Sequence, residues 1–141
     1  MECEFPEQNA TNEEIKEILQ NSKTIAIVGL STDKLKDSFK VAEYLQKHGY
    51  KIIPVNPKYL EVLEEKCYPD LQSIPEKVDI VDIFRKPEAV PAIVDDAIEA
   101  GAKVIWMQLG ICHNEAAKKA QNTGLKVVMN KCIKVEHALM Y

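Results

Sequence analysis

Five apolar runs rich in β-branched residues recur along the chain: TIAIVG at 24–29, YKIIPV at 50–55, VDIVDIF at 78–84, AKVIWM at 102–107 and LKVVM at 125–129. Each is short and largely continuous in its apolar character, so both faces of such a strand must be covered, as in a parallel sheet. Between the runs the apolar spacing becomes helical. TNEE at 11–14 matches a capping box, with Thr11 as N-cap and Glu14 reaching back, and Ile15, Ile18 and Leu19 follow on one face. SFKVAEYLQKHG at 38–49 turns Val41, Tyr44 and Leu45 to one side and stops at Gly49. A third pattern runs from Pro87 to Gly101, and Pro91 puts the start of the regular helix near 88–91. Asn114 is expected to cap EAAKKAQNTG, which stops at Gly124, and KVEHALMY reads as a last short turn of helix. Residues 59–77, broken by Pro69 and Pro75, read as irregular or weakly helical.

Strand and helix thus alternate five times, and right-handed crossovers then dictate a parallel sheet with helices on both faces. The expected fold is α/β: a single Rossmann-like domain over 1–141, five parallel strands in the order 3-2-1-4-5, and residues 1–10 as a flexible tail. Asp79 and Asp82 fall near the two ends of the third run, where one face is expected to reach solvent. In such sheets ligands lie outside the carboxyl ends of the strands, where the strand order reverses, here expected between strands 1 and 4.

Composition narrows the partners. The 141 residues are 46% hydrophobic and 28% charged with a net charge of −4, ordinary for a globular domain. The chain has no Lys/Arg-rich tract, which disfavours a nucleic-acid surface. No apolar run approaches the roughly 18 residues that span a bilayer, so no membrane association is expected. The N-terminal MECEFPEQNA lacks the apolar core of a signal peptide. Cys3, Cys67, Cys112 and Cys132 are scattered without a CxxC pair, which reads as reduced thiols in a cytoplasmic protein. Cys112-His113 and Cys132 with His137 lack metal-ligand spacing, so no metal is expected.

Five segments fall at the strand ends: 29–38, 56–58, 84–86, 108–112 and 130–132. The first, GLSTDKLKDS, has one glycine where a dinucleotide fingerprint has three. It adds the hydroxyls of Ser31, Thr32 and Ser38 and the cations Lys34 and Lys36, and the helix beginning near Ser38 aims its unpaired amides into the same space. That suits a pyrophosphate; a solvated surface loop would have the same composition. The second run ends in Asn56-Pro57-Lys58, where an NAD site carries an acid for the ribose hydroxyls. A lysine there attracts an extra ribose phosphate, so NADP and coenzyme A stand level and NAD is disfavoured. Phe84, Arg85 and Lys86 end the third run; Arg85, the one arginine in the chain, offers a fork for a phosphate. Gln108 and Gly110 follow the fourth run and are expected to line the cleft.

The stretches IAIVGLSTDKLKDSFKVAEYLQKHGYKIIPVNPK, VDIVDIFRKPEAV, VIWMQLGI and KCIKVEH together resemble the small stand-alone CoA-binding proteins, which are similar to the CoA-binding domain of the succinyl-CoA synthetase α subunit. The resemblance covers the chain from about residue 11 onward, and PVNP followed by WxQxG is its most specific part. It implies a Rossmann-like domain that binds coenzyme A, with contacts matching Gly29, Leu30 and Ser31, the turn from Lys36 to Ser38, Val55 to Lys58 and Ile83 to Lys86. The family's Asp-Arg-Cys after the last strand is Asn130-Lys131-Cys132 here, so an ion pair at that turn is not implied. The catalytic histidine of the synthetase lies in a second domain and is not carried over.

The leading expectation is therefore a CoA or acyl-CoA binding module without evident catalytic machinery. The alternative is an enzyme, NADP-binding or exchanging CoA thiols, with Cys132 as the candidate catalytic thiolate. A homodimer or a protein partner that reads out CoA binding fits the same composition.

Overall fold

The computed structural model describes residue 6 and residues 8–140. Helix α1 (Asn12–Asn21) opens with the expected box: the Glu14 amide donates to Thr11 Oγ1 at 3.1 Å and the Thr11 amide to Glu14 Oε1 at 3.1 Å. Strand β1 (Thr24–Val28), α2 (Asp37–Lys47), β2 (Lys51–Val55), β3 (Glu61–Val62), β4 (Glu65–Lys66) and β5 (Ile80–Ile83) follow. A 3-10 turn (Pro87–Ala89) leads into α3 (Val90–Glu99), and β6 (Val104–Met107), α4 (Asn114–Asn122), β7 (Lys126–Val128) and α5 (Ile133–Met140) complete the chain.

The main sheet is parallel, with order β2-β1-β5-β6-β7. Helices cover both faces: α1, α2 and α5 close over Ile25, Ile27, Ile80 and Trp106, while α3 and α4 close over Ala26, Val28, Val81 and Ile83. No described helix is long and apolar enough to cross a membrane.

Numbered by the five apolar runs, this order is 2-1-3-4-5, which corrects the expected 3-2-1-4-5. The third run is buried at every residue from Ile80 to Ile83, and it needs a strand on each side. The outer position beside β2 goes instead to the segment read as irregular: Tyr68 donates to Pro54 O and accepts from the Asn56 amide, both at 2.9 Å. Pro54 therefore turns its missing N–H toward this near-bare edge, where a proline does least harm. If that single bridge is counted as a vestigial strand, the order is the doubly wound 3-2-1-4-5-6. The reversal point consequently lies between β1 and β5.

Four smaller expectations change. Asp82 does not reach solvent but is fully buried. Helix α4 is capped by His113, whose Nδ1 accepts from the Ala116 amide at 3.1 Å, and Asn114 is its first residue. The tail is a helix of eight residues rather than one turn. Residues 59–77 contain the β3–β4 hairpin, whose tip residues Leu63 and Glu64 are both left-handed (φ 54° and 63°). Of the expected flexible tail, residues 1–5 and 7 lie outside the described residues. Asn9 is anchored: its side chain donates to Met129 O at 2.8 Å and accepts from the Met129 amide at 2.9 Å, just beyond the end of β7.

Candidate functional site

The reversal point is built around Gly29. Its amide donates to Val55 O at 2.9 Å, its φ is +89°, and a Cβ placed on it would stand 2.6 Å from Phe84 O. The ends of β1, β2 and β5 thus meet at a spacing that only glycine permits, and the left-handed φ demands glycine as well. Phe84 is held from the other side by its own amide, which donates to Val28 O at 2.9 Å.

From this junction two loops rise. Residues 31–36 are shaped by their own side chains: Ser38 Oγ accepts from the Ser31 amide, Ser31 Oγ from the Asp33 amide and Asp33 Oδ1 from the Leu35 amide, at 2.9–3.1 Å. Helix α2 begins at Asp37 with no side-chain cap, because its N-cap is Lys36. Its first amides face the cleft with their partial positive charge. The second loop turns on Asn56. The amide that replaces a nucleotide-binding acid is a strut here: Nδ2 donates to Leu30 O at 3.1 Å, and Oδ1 accepts from the Lys58 amide at 3.0 Å. That turn fixes where Lys58 leaves the backbone.

Between the loops lies a cleft of about 650 Å³. The structure brings Gly29, Ser31, Lys36, Ser38, Asn56, Pro57, Lys58, Phe84 and Arg85 into its lining. Lys36, Lys58 and Arg85 are exposed at the rim against one carboxylate, Asp37. Gly29, Asn56, Pro57 and Arg85 also border a smaller lobe of about 190 Å³ toward α3, walled by Val28, Val55, Leu71 and Ile93. The pair of lobes sets a cationic chamber beside a slot whose apolar walls are interrupted by the carboxylates of Asp70 and Asp96.

The remaining sequence-predicted residues stand elsewhere. Leu30 and Ile83 are fully buried and support the floor, and Val55 shows itself only to the smaller lobe. Lys86 is exposed as the N-cap of the 3-10 turn, outside the cleft lining. Gln108 is buried, and its Oε1 accepts from the Ile133 amide at 3.0 Å, fixing the start of α5. The Gly110 amide donates to Oδ1 of Asn130, itself left-handed at φ 57°. Cys132 is half-buried and does not line the cleft. Among the described residues no group of His, Cys, Asp or Glu is arranged to hold a metal.

One lining residue escaped the sequence analysis, Tyr59; Asp37 falls within the expected 29–38 segment without having been singled out. Tyr59 leans across to the first loop. Hydrogen bonds with Thr32 and Ser31 hold its phenol below the usual range, and Lys58 adds to this. Its signal was its place directly after PVNPK, in a segment dismissed as irregular. Beneath the floor the Cys67 thiol donates to Asn56 O at 3.4 Å, and burial pushes its pKa up, so it is a structural thiol.

Comparison with known proteins identifies the family. Residues 23–138 match the family model described as a CoA binding domain. The uncharacterized protein YneT of Bacillus subtilis is 43% identical over 94% of this chain and 98% of its own. A solved structure, a hypothetical protein from Pyrococcus horikoshii OT3, superposes with a TM-score of 0.91 at 46% identity, over 99% of this chain and 98% of that one. The ADP-forming acetate–CoA ligase II of Archaeoglobus fulgidus is 35% identical over 57% of this chain, and the matched part is 12% of that much longer protein. The chain therefore belongs to the CoA-binding domain family, as a Rossmann-like domain related to the CoA-binding region of ADP-forming acetate–CoA ligases.

Proposed function

We propose that the cleft binds coenzyme A, or an acyl-CoA, as a polyanion with an aromatic head. The observation that carries this reading is Lys58 at the end of β2, oriented by the Asn56 turn at the position where an NAD site needs an acid. Its charge suits the 3′-phosphate, together with Arg85 across the junction. The pyrophosphate then lies over Gly29, Ser31 and the first amides of α2, where anions are stabilised. The smaller lobe offers adenine the apolar surfaces of Val28, Val55, Leu71 and Ile93, with Asp70 and Asp96 as polar neighbours. The pantetheine arm leaves along the ends of β5 and β6 toward Cys132, with Gln108 holding the α5 start beneath it.

The reading is a binding module, since the lining offers charge and shape for a phosphorylated ligand. NADP shares the requirement for a ribose phosphate and is the reading to exclude. Thermal stabilisation by CoA, dephospho-CoA, NADP and NAD tests the choice, since a ligand that binds only the folded chain raises its melting temperature. CoA is expected to stabilise most and dephospho-CoA less. Stabilisation by NADP and not by CoA would refute the proposal.

A further inference from the structure

Asp82 is the buried titratable group that the cleft geometry leaves unused. It has no exposure to solvent. In the sheet register it sits between Ile27 of β1 and Trp106 of β6, with Ile80 and Phe84 next along the same face of its own strand. Neither carboxyl oxygen has a hydrogen-bond partner. Buried polar atoms are nearly always paired, so two bare oxygens on the central strand need a physical account. Ionised, this carboxyl would be an uncompensated charge in an apolar layer, which costs far more than a neutral acid. Burial alone holds the group well above the usual carboxylate range, which favours the neutral acid.

Its location gives the proton a consequence. Gly29 and Phe84 stand one pleat further along β1 and β5, about 7 Å along the strands, and both line the main cleft. A charge on Asp82 would lie just beneath the chamber where Lys36, Lys58 and Arg85 face Asp37, in a medium that screens it weakly. Besides Cys67, Cys132, Tyr50 and Tyr59, which belong to the same layer, the helices over this face add two titratable groups. Helix α1 packs Ile15, Ile18 and Leu19 there, α2 adds Tyr44, and α5 adds His137. Tyr44 Oη and His137 Nδ1 bond each other at 2.8 Å, and neither bonds Asp82.

We propose that Asp82 couples proton binding to ligand binding: the cleft takes its phosphorylated ligand tightly only while Asp82 is protonated, and bound ligand in turn holds that proton in place. The inference rests on the CoA reading above, and linkage makes the coupling reciprocal.

The test is the affinity for CoA, measured by calorimetry from pH 6.5 to 10 on the full chain and on Asp82→Asn. Wild-type affinity should fall by up to about tenfold per pH unit once Asp82 begins to ionise. That loss comes on top of any seen in Asp82→Asn, and wild-type binding should take up a proton that the variant does not. Superimposable profiles, with CoA bound by both, defeat the coupling and leave the CoA reading intact. Absence of CoA binding to the wild type at every pH defeats the CoA reading first. Should Asp82→Asn fail to fold, the ¹³C shift of the Asp82 carboxyl in the wild type decides. A protonated shift at pH 7 that moves upward in pH when CoA is added supports the proposal. An ionised shift at pH 7, or a titration unmoved by CoA, refutes it.

Discussion

A side chain at position 29 would meet the carbonyl oxygen of Phe84 at 2.6 Å. This contact between Gly29 and Phe84 is what lets the ends of β1 and β5 close on one another and form the cleft floor. Gly29→Ala must adopt a left-handed φ, at about 1–2 kcal/mol, and push the β5 end away, at about 1–3 kcal/mol more. A fall in melting temperature of about 10 °C is expected, with loss of CoA binding even where the variant is folded. Calorimetry that finds wild-type stability would show the floor to be looser than described.

Lys58 is predicted to read the ligand's extra phosphate. Lys58→Glu should weaken CoA by about 10- to 100-fold, the worth of a charge-assisted contact, and dephospho-CoA by much less. Titrations of both ligands against both proteins check this. Equal losses for the two ligands would place Lys58 away from the 3′-phosphate.

The hairpin tip is strained without any role in the cleft lining. Leu63 and Glu64 both have positive φ, the conformation of a type I′ turn, which favours Asn-Gly. Glu64→Gly should therefore stabilise the protein by about 1 kcal/mol, read as a higher denaturant midpoint with unchanged CoA affinity. Destabilisation would mean that the Glu64 side chain makes a contact worth more than the strain.

His137 predicts an acid limb of stability. Burial, and then the neighbouring His48 ring at 5.2 Å, holds its pKa below the ordinary 6.5. The unfolded chain then takes the proton more readily than the folded one. This contribution is full above about pH 6.5 and is lost as the pH falls through the window below it. Melting temperatures from pH 8 to 5 should fall on the acid side for the wild type and less steeply for His137→Gln. Parallel curves would remove His137 from the explanation.

Much of this was legible in the chain because each strand of the main sheet announces itself by a continuous apolar run and the helices between by apolar residues at helical spacing. The capping box at Thr11 and Glu14 and the strand at Ile80–Ile83 needed nothing beyond local chemistry. The order of the strands was not legible: the third run pairs between β1 and β6, and the place beside β2 goes to a single bridge at Tyr68 in a segment with no strand pattern. The cleft residues from Gly29 to Ser38 and from Asn56 to Lys58 were found because the fold puts strand ends there. Tyr59 was missed for the same reason as the strand order, and Gln108 was assigned to the cleft because sequence does not tell which way an amide points. Asp82 looks in sequence like a strand-end acid; only the register between Ile27 and Trp106 shows that no solvent reaches it.

CoA is predicted to bind in the cleft between Gly29, Lys58 and Arg85. The most direct test is to titrate CoA into ¹⁵N-labelled protein and follow the backbone amide resonances. Saturable shifts are expected, concentrated in residues 29–38, 56–59 and 84–86. Shifts centred instead on His48 and His137 at the opposite end of the sheet, or no shifts at millimolar CoA, would contradict it.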